Sequence, residues 1–280
     1  MNRFAFCCAA ALMSLSASIF ASTPQVIKLW PDGAPHMSGL ENKKPTGSND
    51  FITGTNEAVL TIFPVENATK ALLMCPGGGY AGVAMNHEGF DMAEWFNKQG
   101  ITYGVLQYRM PNGHREVPFE DAEKAMRVMR SMLPAGTKVG IGGASAGGHL
   151  AATVATLYTE AATRPDFQVL FYPVISMQDG VTHGGSRNNL LGNNPSADLK
   201  SVYSLQNQVN AATPPAFIML SADDGAVPPR NSIDYLQALL DAGVASVMHV
   251  YPTEGHGWGF RDVPFKPLWQ AELETWLRNL

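Results

Sequence analysis

Ser145 lies in Gly143-Ala144-Ser145-Ala146-Gly147, a G-x-S-x-G spacing. Before it, Lys138-Val139-Gly140-Ile141-Gly142 reads as a short buried strand; after it, Gly148 to Ala155 reads as a helix. Strand, sharp turn and helix is the context that presents a serine hydroxyl as a nucleophile. The turn is strained and crowded, which is why glycines flank it. A serine at a helix start also meets free backbone N–H groups, which favour developing negative charge. The spacing alone is common among turns, so the chemistry stands or falls on its partners.

A serine hydroxyl is a weak nucleophile. It needs a histidine to take its proton and a carboxylate to orient that histidine, in the chain order Ser, Asp or Glu, His. The apolar run Ala216–Ser221 reads as a strand and leads into Asp223 and Asp224, either of which could serve as the acid. Asp223 also reads as a turn former or helix cap. Val247–Pro252 reads as the next strand and leads into Gly255-His256-Gly257, where flanking glycines give the imidazole room to reach the serine. His249 falls inside that strand and reads as structural; His149, four residues after Ser145, reads as a packing or capping residue. His36, His87, His114 and His183 lie outside the order required of a base. A Gly-rich loop, Pro76-Gly77-Gly78-Gly79-Tyr80, follows the apolar strand Ala71–Cys75. Such a loop offers backbone N–H groups to an oxyanion, and the residue after the nucleophile, Ala146, offers another. A phosphate loop is the competing reading, but no G-K-[ST] follows and G-x-G-x-x-G is not matched.

These elements must be held by one scaffold. The 280 residues suffice for one large domain with a substantial core. Strands expected near 56–65, 71–75, 101–108, 138–142, 168–172, 216–221 and 247–252 alternate with helices near 90–99, 119–133, 229–241 and 267–280. That alternation predicts an α/β fold with a mostly parallel sheet covered on both faces. Residues 30–54, dense in Pro, Gly and Asn, read as an irregular surface wrap. Residues 173–215 break the alternation, are longer than an ordinary connection, and suit a lid or pocket wall.

A net charge of −5 without charge runs gives no sign of nucleic acid as a partner. Arg3, the apolar stretch Phe4–Phe20 and the small pair Ala21-Ser22 read as a secretory signal peptide over 1–21, with the catalytic domain over 22–280. That implies a secreted or periplasmic protein with no membrane association once the signal is removed. Removing the signal leaves Cys75, expected as a small core residue. No metal-ligand spacing such as H-E-x-x-H is present.

Several stretches resemble the α/β-hydrolase superfamily, and within it the compact bacterial carbohydrate esterases that include acetylxylan and feruloyl esterases. They are Trp30-Pro31-Asp32-Gly33-Ala34-Pro35, Pro76–Tyr80, Asn86-His87-Glu88-Gly89, Tyr108-Arg109-Met110-Pro111, Gly143–His149, Asp224 with Val227-Pro228, and Gly255-His256-Gly257. The resemblance covers nearly the whole chain after residue 21. It implies a triad of Ser145, Asp224 and His256, since D-x-x-V-P is the usual frame of the acid, with Gly78, Gly79 and Ala146 as oxyanion donors. Where H-G-G-G lipases carry histidine, this chain has Pro76. The implied reaction is cofactor-free ester hydrolysis through an acyl-enzyme, the substrate an acylated plant oligosaccharide or polysaccharide such as xylan, most simply acetylated. Feruloyl ester hydrolysis, a lipid-, lactone- or peptide-directed serine hydrolase, and a non-catalytic binding module are the alternatives. No separate β-rich domain is visible, which argues against an oligopeptidase, although those enzymes share this catalytic core. Tyr80 and Trp258 are expected to stack on a sugar or ferulate ring, or else to pack in the core; His87 and Glu88 are expected to border the cleft, or else to sit at a helix start.

Overall fold

The computed structural model describes residues 23–280, so the expected signal segment lies outside the described residues. The strands are β1 (Gln25–Lys28), β2 (Thr46–Ser48), β3 (Phe51–Thr53), β4 (Val59–Phe63), β5 (Lys70–Cys75), β6 (Gly82–Val83), β7 (Ile101–Gln107), β8 (Lys138–Ala144), β9 (Gln168–Phe171), β10 (Ala216–Ser221) and β11 (Val247–Tyr251). The α-helices are α1 (Ala93–Lys98), α2 (Glu116–Met132), α3 (Ser145–Leu157), α4 (Gly184–Leu191), α5 (Ala197–Val202), α6 (Arg230–Asp241) and α7 (Lys266–Arg278). The main sheet runs β1-β4-β7-β5-β8-β9-β10-β11. β4 is antiparallel to both its neighbours, and every pairing from β7 to β11 is parallel. Helices cover both sides, as the alternation predicts.

Parallel strands in mid-sheet are buried on both faces, and their sequences read as continuous apolar runs. β10 is buried throughout, and β5 and β8 are buried after their first residue. The same geometry brings the C-terminal ends of β5, β8, β9, β10 and β11 to one edge of the sheet, where ligands of open α/β sheets bind. β5 and β8 are direct neighbours in register, Cys75 opposite Gly143, so the Gly-rich loop emerges beside the serine turn.

The crossing at this point is tight. A Cβ on Gly147 would stand 2.0 Å from the Cys75 carbonyl oxygen and 2.4 Å from that of Pro76. Cys75 itself is a free, fully buried thiol in the core cluster, as expected.

The N-terminal motif has a structural use. Trp30 Nε1 donates to Asp121 Oδ1 (2.6 Å), and Arg109 donates to both oxygens of the same buried carboxylate from its backbone N–H, Nε and Nη2. One aspartate on α2 thereby joins Trp-Pro-Asp-Gly to Tyr-Arg-Met-Pro.

One expectation is corrected and one is refined. Residues 30–54 contain the β2–β3 hairpin, which joins β6 in a small three-stranded sheet. Residues 173–215 carry α4 and α5, with cap bonds from His183 and Ser196 at their starts. Short helices of low apolar periodicity escape pattern reading, because tertiary anchoring holds them. Here buried Asn231 on α6 accepts from Ile175 and Ser176 N–H and donates to the Val181 carbonyl.

Gly147→Ala is expected to lower stability in chemical denaturation by about 1–3 kcal/mol, the usual cost of overpacking. Gly184→Ala, where a Cβ would meet nothing within 4 Å, is the matched control and is expected to change little.

Candidate active site

Ser145 opens α3 directly from β8, three residues earlier than the expected helix start. Its φ of +52° is left-handed, a conformation costly for a residue with a Cβ. Its carbonyl accepts from Val174 N–H (2.9 Å), which ties the turn to the segment after β9.

Ser145 Oγ and His256 Nε2 are 2.8 Å apart, and His256 Nδ1 lies 2.6 Å from Asp224 Oδ2. A carboxylate only accepts, so Nδ1 carries the proton and Nε2 is left to accept from the serine. Asp224 is 5 % exposed, and its other oxygen accepts from Ala226 and Val227 N–H at 2.9 and 2.8 Å. The choice between the two aspartates is thus resolved by geometry. Asp223 instead accepts from Gly255 N–H (2.9 Å) and fastens the histidine loop.

Gly77 N–H is spent on Glu88 Oε2 (2.7 Å). The N–H groups of Gly78 and Gly79 have no acceptor among the described residues, and both glycines line the cleft with Ser145. Gly78 has φ +139° and packs so closely on Gly82 that a Cβ would lie 2.2 Å from its carbonyl oxygen. Ala146 follows the serine in the first turn of α3, where N–H groups have no intrahelical acceptor. The three predicted oxyanion donors therefore lie just past two adjacent strand ends, Gly78 and Gly79 lining the cleft with Ser145 and Ala146 following it in the chain.

Of the residues expected to touch substrate, only two border the cleft, an open space of about 390 Å³. His87 lines it, and burial pushes its pKa down from the ordinary histidine value, against the opposing charge of Glu88. Glu88 forms part of the wall, yet it is 3 % exposed and its carboxylate is engaged inward: Oε1 accepts from Tyr172 OH (2.7 Å), Oε2 from Gly77. Tyr172 OH in turn accepts from Gly259 N–H (2.7 Å), and the Tyr172 ring packs on His256 at 4.7 Å.

Tyr80 and Trp258 do not reach the cleft, and the stacking expectation is corrected for both. Tyr80 is buried against Tyr108 and His149; Trp258 is buried among Phe171, Tyr172, Phe265 and Trp269, with Nε1 donating to Ser221 Oγ. An aromatic beside a catalytic loop supports the loop from below as readily as it faces the ligand. The cleft instead takes Asp50, Phe51, His183 and Arg261. Phe51 is 43 % exposed over the Gly78–Gly82 turn. Arg261 makes no side-chain hydrogen bond or ion pair among the described residues. These come from a hairpin and from loop or cap positions, where no periodicity marks them.

Residues 109–280 match the model of the prolyl oligopeptidase family. An acetylxylan esterase of Xylanibacter ruminicola is 38% identical over 239 residues, covering 82% of this chain and 50% of the relative. Endo-1,4-beta-xylanase B of Butyrivibrio fibrisolvens is 33% identical over 204 residues, 66% of this chain and 32% of the relative. The chain thus spans half or less of the curated relatives it matches. The crystal structure of an acetyl ester-xyloside bifunctional hydrolase from Caldicellulosiruptor lactoaceticus superposes with a TM-score of 0.78 at 32% identity, covering 91% of this chain and 96% of that one.

His149 is the local packing residue expected. Its Nε2–H donates to the Tyr203 carbonyl (2.9 Å); burial keeps the ring neutral, which leaves Nδ1 to accept from Tyr80 OH (3.0 Å). Burial pulls its pKa down from 6.5 to about 4, against the raising effect of the Tyr203 bond. The unfolded chain binds the extra proton in that window, so this contribution to stability is intact above the unfolded value and lost as pH falls toward about 4. Its full size is up to about 3 kcal/mol. Unfolding free energy measured from pH 7 to 4 is expected to fall more steeply for the native protein than for His149→Gln.

Proposed function

The chain belongs to the prolyl oligopeptidase family, and from that premise we propose an exported serine esterase that removes acetyl groups from xylan or its oligosaccharides. The reading is carried by the continuous hydrogen-bonded path from Ser145 Oγ through His256 to Asp224, opening on a cleft beside free backbone amides.

In the proposed reaction, Ser145 Oγ attacks the ester carbonyl carbon while His256 Nε2 takes its proton. Asp224 holds the imidazole tautomer and stabilises the imidazolium. The carbonyl oxygen becomes an oxyanion over the Ala146 amide and those of Gly78 and Gly79, which need no reorganisation to receive it. Collapse expels the sugar alkoxide, protonated by His256, and leaves an acetyl-serine. Water then attacks that ester with His256 as base, releasing acetate and restoring the serine.

The substrate assignment is supported by the names of the relatives, an acetylxylan esterase and an acetyl ester-xyloside hydrolase. An open cleft rimmed by polar groups and an exposed phenyl ring suits a sugar better than an acyl chain. Export rests on the signal-like pattern of residues 1–21.

The test is acetate release from acetylated xylo-oligosaccharides, with feruloylated oligosaccharides and an aryl acetate in parallel. Ser145→Ala is expected to lower kcat for acetate release by at least about 10⁴-fold with the fold intact. Ferulate release in preference to acetate would move the acyl assignment. Cleavage of the aryl acetate alone would remove the carbohydrate assignment and leave the mechanism.

A further inference from the structure

His183 lies outside the proton path, and its surroundings fix its chemistry. It caps α4, where the backbone N–H of Ser186 donates to its Nδ1 (3.2 Å) and Ser186 Oγ lies 2.8 Å from the same nitrogen. A backbone N–H can only donate, so Nδ1 is an acceptor and carries no proton. The proton of the neutral ring is on Nε2. Protonating Nδ1 would set two N–H groups against each other and undo the cap. Burial and the neighbouring His256 also hold the pKa of His183 below the ordinary histidine value, with Asp224 opposing.

The Nε2–H has no acceptor among the described residues, and the ring lines the cleft with Ser145 and His256. It sits over the Gly-rich loop: a Cβ on Gly79 would be 3.6 Å from His183 Cε1. α4 is fastened there by Asn189 Nδ2, which donates to the Gly79 carbonyl (2.8 Å), while Gly113 N–H donates to the Asn189 carbonyl. Cap and anchor together leave the imidazole little freedom of position.

We infer that His183 is a specificity residue whose Nε2–H donates a hydrogen bond to a hydroxyl oxygen of the sugar bound beside the scissile ester. A donor locked in its neutral form suits an uncharged oxygen, and the amides beside Ser145 already serve the anionic one. The inference rests on the carbohydrate esterase reading.

His183→Asn separates the two roles of the residue. Asparagine is a strong N-cap, so its side-chain oxygen keeps the bond to Ser186 N–H, but it is too short to replace Nε2–H in the cleft. The measurement is the ratio of kcat/KM on an acetylated xylo-oligosaccharide to that on an aryl acetate, which has no sugar hydroxyls. The ratio is expected to fall about tenfold, mostly through KM, with the melting temperature retained. His183→Ala is expected to lose the same ratio and some stability as well. An unchanged ratio, or an equal fall on both substrates through kcat, would overturn the inference. A native enzyme inactive on the oligosaccharide but active on the aryl acetate defeats the carbohydrate reading itself, which separates the two failures.

Discussion

Everything at this sheet edge depends on the left-handed turn at Ser145, which has a φ of +52° and lines the cleft. Such a conformation persists only where the surroundings over-determine it. Here β8 is pinned between β5 and β9, α3 is buried through almost its whole length, and Gly147 lets that helix pass against the end of β5. Three further side-chain-bearing residues in positive φ, Tyr80, Tyr172 and Glu254, stand at the neighbouring loops. The strain is thus concentrated where the backbone leaves the parallel strands, and the apolar sheet beneath opposes it.

A buried carboxylate then sets these loops relative to one another. Glu88 receives the Gly77 N–H and the Tyr172 hydroxyl, and Tyr172 receives the Gly259 N–H. One acidic residue therefore connects the Gly-rich loop, the end of β9 and the stretch just beyond His256. Committing Gly77 to Glu88 is also what separates the amides of the Gly-rich loop by role. The first is structural, while those of Gly78 and Gly79 remain open to a ligand. A motif of consecutive glycines cannot say which N–H is free; that depends on an acceptor supplied eleven residues later.

The reactive groups were legible because the fold imposes an order. Parallel strands deliver their following loops to one edge, so a serine, an acid and a histidine, each just after an apolar run, were bound to converge. Asp223 and Asp224 were less separable, since adjacent residues follow the same strand and only backbone geometry decides which carboxylate turns inward. Aromatic residues misled for a related reason. Tyr80 and Trp258 adjoin the functional loops in sequence, but the loops need apolar support, and both rings supply it from the core side. The cleft residues that do face outward, Phe51, His183 and Arg261, lie in a hairpin, a helix cap and a loop. Their position is set by long-range anchors such as Asn189 on Gly79 and Asn86 on Asp50, which leave no local pattern.

The pair of adjacent aspartates shows how register becomes precision. β10 and β11 are neighbours in parallel register, Ser221 opposite Tyr251, and Ala222 N–H donates to the Tyr251 carbonyl just past the paired stretch. Two loops leaving side by side would still be free to splay. Asp223 prevents this by accepting from Gly255, next to the histidine, while Asp224 accepts from His256 itself. Asp224 is in turn fixed by two amides of its own loop, so one oxygen alone is available to the imidazole. The base loop is left-handed at Glu254, Gly255 and Gly257. Its orientation is set by the acid loop, which the sheet sets in turn. The geometry of the Ser145–His256–Asp224 hydrogen-bonded path is therefore inherited from strand pairing through two neighbouring carboxylates, one that holds the loop and one that holds the ring.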